Sequence, residues 1–179
     1  MLRNSISIFI AIFIALSILP AKKSYSDDRV INDIAFRFTV SLNDDWERKD
    51  MKETTDKDGI SYSFERKDRK FTLMILAFKL TTVKNIDDFI YNMEKDISLN
   101  IPQRSGDYSE KDFGKYDMKS AVYKDNNFYE EIYYYRTKMP DAPNNYVYLI
   151  RFISTPIEIN SDSEKQIKNI VDSFKSTVE

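Results

Sequence analysis

Apolar and polar positions alternate with a period of two over much of the chain. Phe36, Phe38, Val40 and Leu42 fall on one side, and Arg37, Thr39 and Ser41 on the other. That is the pattern of a strand over Ala35 to Leu42 with one buried face. Asn43-Asp44-Asp45 predicts a turn before Trp46. Glu47 to Asp58 is mostly charged and predicts an exposed loop or a weak edge strand. Alternation resumes at Ile60, Tyr62 and Phe64, and Lys67-Asp68-Arg69 is a tight connection. Phe71 to Leu80 is different. Phe71, Leu73, Ile75 and Ala77 face one way, and Met74, Leu76, Phe78 and Leu80 the other. A strand apolar on both faces lies centrally, in a sheet covered on both sides.

The period then changes. Ile86, Phe89, Ile90, Met93 and Ile97 recur at helical spacing. With Asn85 as cap and Asp87 and Asp88 in the first turn, they predict a helix to about Leu99. Tyr116 to Lys124 and Phe128 to Met139 flank Asp125-Asn126-Asn127, which predicts a hairpin. Pro140 to Asn145 is a polar connection, and Tyr146 to Ser154 is the last long strand. Ser161-Asp162-Ser163-Glu164 matches a capping box. It opens a helix with the stripe Ile167, Ile170, Val171 and Phe174. The order of strands, helix, strands, helix predicts an α+β domain, with an antiparallel sheet of about six strands and a helix packed on each face.

Residues 1–26 fit neither period. Arg3 precedes an apolar run from Ile6 to Leu19, broken by Ser7 and Ser17. Pro20 and the small residues Ala21, Ser24 and Ser26 follow. This is the pattern of a secretory signal peptide. The run is about 14 residues, roughly 21 Å as a helix, short of the roughly 20 residues that span a bilayer. Ser24 and Ser26 place cleavage before Asp27; cleavage after Ala21 and an uncleaved N-terminal anchor are the alternatives. Lys22 and Lys23 on the far side disfavour the anchor. The expectation is a single domain over residues 27–179. It is exported, periplasmic or extracellular, and soluble, with no stable membrane insertion after cleavage.

Composition narrows the chemistry. Residues 1–26 carry three basic residues and no acid, so the remainder holds 24 basic and 29 acidic residues, a net charge of −5. Nothing in that balance points to nucleic acid or an anionic membrane. The chain has no Cys and no His. Disulfides, Cys/His zinc sites and nucleophile–His catalysis are therefore excluded. With three glycines in the chain, a Gly-rich phosphate loop is implausible. No cofactor is expected.

Several of these features together resemble the Mog1/PsbP-like family. They are the first strand ending in Leu42-Asn43-Asp44-Asp45-Trp46, and the helix from Ile86 after a central strand. Phe113-Gly114 before a Tyr-rich meander and the final helix ending in Asp172-Ser173-Phe174 complete the set. Relatives often carry a Leu-Pro-x-Gly-Trp-like turn where this chain has Asn43 and Asp45. The resemblance spans most of residues 34–175 and implies an α-β-α sandwich with an accessory, chaperone-type binding role.

Three groups of residues are candidates for function. Tyr133 and Tyr135 share one face of their strand and Tyr134 shares the other with Ile132. With Tyr148 they form an aromatic set suited to a binding surface, or to stabilising the meander by cross-strand pairs. Trp46, the only tryptophan, is either a partner contact or a plug at the end of the core. Arg151 is placed to neighbour Glu130 or Tyr135, and Glu130 and Glu131 must face opposite sides. Asp56, Asp58 and Glu65 have the approximate spacing of a calcium loop. Thr54 at its first position and Asp58-Gly59 as a plain turn pair argue against it. The reading is an exported, non-enzymatic accessory protein holding a protein or peptide partner on its sheet or sheet–helix groove. The alternative is a small-ligand or divalent-metal carrier, or a carboxylate-based enzyme.

Overall fold

Two antiparallel sheets and two helices carry the architecture of the computed structural model, which describes residues 30–49, 58–81, 83, 85–95, 102–138 and 145–178. Residues 1–26, expected to be a signal peptide, lie outside these residues, as do Thr54 and Asp56. In chain order the strands are β1 (Val30–Asp33), β2 (Phe38–Ser41), β3 (Trp46–Arg48), β4 (Gly59–Arg66) and β5 (Thr72–Leu80). Helix α1 (Ile86–Lys95) follows. Then come β6 (Ser109–Asp112), β7 (Tyr116–Lys124), β8 (Tyr129–Thr137) and β9 (Asn145–Ser154), and finally α2 (Ser161–Ser173) and β10 (Lys175–Ser176). The larger sheet has the order β3-β4-β5-β9-β8-β7-β6, and the smaller β1-β2-β10. Among the described residues, no helix is long and apolar enough to cross a membrane.

The two-faced apolar strand is central, as its pattern requires. β5 pairs with β4 on one side and β9 on the other. Leu73, Ile75 and Ala77 are fully buried on one face. There they meet the smaller sheet through Phe38 and Val40, and α2 through Ile167 and Ile170. On the other face α1 packs Ile86, Phe89 and Ile90 against Tyr134, Val147 and Leu149. Each face of the large sheet thus has its helix.

The expected strand over Ala35 to Leu42 is shortened to β2, because residues 34–37 form a turn. Asp33 Oδ1 accepts the Phe36 backbone N–H at 2.8 Å, which closes a turn, and Arg37 takes a left-handed φ of 56°. The chain therefore reverses inside Ala35 to Leu42, and β1 pairs back on β2. The short strands β1, β6 and β10 have no alternation long enough to read. Both helix starts carry side-chain caps. Asn85 Oδ1 accepts the Asp88 N–H at 2.8 Å. The α2 box is shifted by one residue from the expected one. Asn160 is the cap and Ser163 its reciprocal partner, because Asn160 already holds the extended backbone a cap needs.

Phe174, just past α2, is the aromatic hub of the core. Its ring stacks on Tyr135 with centroids 4.1 Å apart and meets Tyr148 at 5.2 Å, Tyr116 at 5.8 Å and Phe38 at 6.4 Å. Two hydroxyls within this hub differ in their partners. The Tyr148 hydroxyl donates to the Phe36 carbonyl at 3.0 Å and is within reach of that of Arg37 at 3.2 Å. The Tyr135 hydroxyl is buried and has no hydrogen-bond partner among the described residues. A buried hydroxyl is destabilising unless it is bonded. Tyr148→Phe is therefore expected to lose about 1 kcal/mol, and Tyr135→Phe to be neutral or to gain up to about 1 kcal/mol. Urea unfolding of the two variants beside the parent checks the contrast; equal losses would contradict it.

Candidate functional site

The register of the large sheet lays out its α1 face as a grid. Gly59, Phe78, Val147 and Arg136 stand side by side across β4, β5, β9 and β8. The next row, about 7 Å further along the strands, is Ser61, Leu76, Leu149 and Tyr134. The third is Ser63, Met74, Arg151 and Ile132. Helix α1 covers the β9, β8 and β7 side of this grid.

Polar side chains hold α1 there along one flank. Glu94 accepts from Tyr108 at 2.5 Å and from Tyr123 at 2.8 Å, and pairs with Arg104 at 3.3 Å. The Tyr123 and Tyr134 hydroxyls lie 3.4 Å apart beneath it. Burial raises the Tyr123 phenol pKa far above its usual range, with Tyr134 adding to the shift. Both phenols are protonated donors and acceptors. In the first turn of α1, Asp87 is reached at 2.6 Å by Lys119, which also pairs with Glu110 at 2.7 Å. Burial opposes the Lys119 charge, but the two carboxylates outweigh it and its pKa is raised. A cavity of about 410 Å³ at this end is lined by Asp87, Glu110, Asp117 and Lys119 among others. Its charges are largely engaged with one another.

On the other flank, Phe89 meets Phe78 with ring centroids 6.1 Å apart, and among the described residues the cover stops there. The β4–β5 half of the grid is open among those residues. A groove of about 350 Å³ runs along it, lined by Asp58, Gly59, Ile60, Ser61, Leu76, Phe78 and Leu80. Its floor is apolar, with Ser61 and Asp58 at the β4 lip. Gly59 keeps it open at one end, because a Cβ there would stand 3.2 Å from the Phe78 ring.

The residues singled out in the sequence divide differently from the expected binding surface. Tyr135 and Tyr148 are 1% and 0% exposed and lie in the core around Phe174. This corrects their reading as contact residues: the small sheet and α2 cover that face. Trp46 is likewise buried at 7%, edge-on to Phe152 at 6.3 Å, so it plugs the end of the core. Tyr133 is half-buried on the same face, perpendicular to Phe152. Its hydroxyl donates to Glu131, which also accepts from Tyr129 at 3.0 Å. Burial, with the Glu131 charge beside it, raises its pKa. Arg151 lies on the opposite face, where its Nε donates to Glu130 at 2.6 Å. Glu130 is fully buried, so this is an internal ion pair. As alternation requires, Glu130 and Glu131 face opposite sides.

The structure also separates the described members of the metal candidate. Asp58 precedes β4 and Glu65 stands near its far end, paired with Lys49. Seven residues of strand put them roughly 23 Å apart, so they cannot share an ion. Asp56 lies outside the described residues. Among those residues no group of three or more metal-ligating side chains occurs.

The groove residues that sequence reasoning missed are Leu76, Phe78 and Leu80. Their pattern marks them as facing a covered side. It carries no signal that the covering helix stops one strand short.

No protein-family model matches this chain, and no curated protein is significantly similar to it in sequence. Solved structures are similar to it in fold. The Ran-binding protein Mog1p of Saccharomyces cerevisiae matches with a TM-score of 0.54 at 12% identity, over 83% of this chain and 94% of that one. A mutant of the protein Mog1 matches at 0.51 and 11%, over 83% and 95%. LpqN of Mycobacterium tuberculosis, involved in cell envelope biogenesis, matches at 0.49 and 16%, over 79% and 83%. The chain has the Mog1/PsbP-like α+β fold that its sequence features resemble.

The polar flank of α1 makes a direct prediction. Glu94→Ala takes from the Tyr123 hydroxyl its carboxylate acceptor and leaves it the neighbouring phenols of Tyr134 and Tyr108. The loss of a shared acceptor at a buried hydroxyl is expected to cost about 1–3 kcal/mol and to speed amide exchange within α1. Glu94→Gln keeps an acceptor and should recover most of both. Hydrogen exchange read by mass spectrometry, with denaturant unfolding, tests the pair.

Proposed function

We propose that this chain is an exported, non-enzymatic accessory protein that holds a protein or peptide partner in the groove between α1 and the β4–β5 hairpin. One observation carries the reading. Among the described residues, an apolar strip along β5 is left uncovered beside the helix on a sheet otherwise covered on both faces. Buried strands rarely leave such a strip uncovered, and grooves of this size that are mostly apolar with few polar groups at the lip are binding sites. The fold shared with a Ran-binding protein supports a binding role without transferring the partner.

The enzyme alternative has less support. Among the described residues, carboxylates near the groove do not converge in pairs, and the chain has no His or Cys to supply a base or nucleophile. Export rests on residues 1–26 and on nothing in the folded domain.

Two outcomes are expected. The protein recovered outside the cytoplasm should begin at Asp27 by intact mass; a start at Ala21 plus one or retention of Met1 would replace that site with the alternatives above. A photo-crosslinking residue at Leu80, in the groove, should give a discrete adduct in cells. The same residue at Ile157, which is 86% exposed in the turn before α2 and does not line the groove, should not. Equal labelling at both positions, or none at Leu80, would overturn the groove as the binding site.

A further inference from the structure

We propose that this chain pairs with a second copy of itself through the outer edge of β1, joining two small sheets across a two-fold axis. This contact is independent of the groove, because the small sheet packs on the face opposite α1. The backbone groups along the small sheet alternate in direction. The Thr177 N–H donates to the Arg37 carbonyl at 2.8 Å, and the Ser41 N–H to Ser173 Oγ at 2.9 Å. Arg37, Thr39 and Ser41 therefore turn their backbone groups toward β10 and α2. Phe38 and Val40 turn theirs toward β1, where Asp33 and Ile31 are their partners. Alternation then leaves the N–H and C=O of Val30 and Asn32 pointing outward. Among the described residues no strand stands beside that edge.

The side chains there suit a copy of the same strand. Val30 and Asn32 lie on the solvent side of β1 and Ile34 follows them. Val30 is 53% and Ile34 84% exposed. Ser41 and Thr39 stand opposite Val30 and Asn32 on β2, and none of these side chains is charged. Edge strands are usually guarded by charge, and β6 is an example. The Phe113 N–H donates to the Tyr116 carbonyl at 3.0 Å, so Glu110 and Asp112 are the outward-facing residues of that strand. An antiparallel copy on β6 would set carboxylate against carboxylate in every register, which is destabilising. On β1, an antiparallel copy centred on Asn32 sets Val30 against the partner's Ile34 and Asn32 against the partner's Asn32. Apolar then meets apolar and amide meets amide. A register centred on Ile31 would instead oppose Val30 to the partner's Asn32. The contact is isologous. With one short strand from each copy it buries less than roughly 1,200 Å², the range of reversible association.

Sedimentation velocity on the chain from residue 27 onward tests this contact. The sedimentation coefficient of the parent should rise with concentration toward that of a dimer; a monomer at every concentration overturns the proposal. Ile34→Lys places a cation against the partner's Val30 and should weaken association by about tenfold. Ile157→Lys adds the same charge at an isoleucine that is 86% exposed elsewhere, and should leave association unchanged. If the two substitutions weaken it equally, or Ile34→Lys does not weaken it, the β1 contact is overturned. The chain has no Cys, so single cysteines report the register. Under mild oxidation Asn32→Cys should give a disulfide-linked dimer. Residues directly opposite in an antiparallel pair have Cα atoms about 5.5 Å apart, within reach of a disulfide. Thr39→Cys sits on the neighbouring strand, three strand spacings or roughly 14 Å from its copy, and should stay monomeric. Equal cross-linking of the two variants, or none by Asn32→Cys, overturns the proposal.

Discussion

The structure depends on one constraint: the two central strands of the large sheet are apolar on both faces. β5 and β9 lie side by side in register from Thr72 and Ile153 to Leu80 and Asn145. Ile75, Ala77, Tyr148 and Ile150 are fully buried toward one side, Val147 and Leu149 toward the other. Leaving either face wet would forgo about 25 cal/mol for each Å² of apolar surface. Both layers above and below the sheet follow from that. The chain supplies α1 for one face. It supplies α2, β1, β2 and β10 for the other, with Phe174 inserted among four aromatic rings.

Covering a sheet with tyrosines and carboxylates brings polar atoms inside, and their partners are mostly local to the sheet. Glu130 and Arg151 are neighbours across β8 and β9 and neutralise each other in the interior. Removing one member of such a pair is far more damaging than the pair's net contribution to stability. Glu94 reaches down from α1 to two tyrosines of the sheet region. These bonds make the helix's position specific, where apolar contact alone would let it slide. They hold α1 over β7 and β8, and among the described residues the groove lies beside that placement.

The fold was broadly legible in the sequence, because period-two and period-3.6 patterns record which side of each element is dry. β4, β5, β7, β8 and β9, both helices and the shared antiparallel class are where those patterns place them. The elements that escaped are short. β1, β6 and β10 have two to four residues each, too few for any alternation to stand out. The site was legible only in its ingredients. Tyr135, Tyr148 and Trp46 have the composition of a contact surface, but tyrosine can bury its ring as readily as present it. The decision lies with the layer that covers them. Leu76 and Phe78 read as core for the converse reason.

The sequence by itself determined the sidedness of every long element, the pairing of Glu130 with one face and Glu131 with the other, and the kinds of chemistry that cannot occur without His or Cys. Sidedness is a local property, set by the pleat and the helical turn, so it survives without knowledge of neighbours. Only the tertiary structure decided which dry side is covered and how far. Coverage depends on where α1 comes to rest, and that is set by contacts between residues up to dozens of positions apart: Glu94 with Tyr123, Lys119 with Asp87, Phe89 with Phe78. Among the described residues, those contacts leave an apolar strip from Leu76 to Leu80 without a covering element.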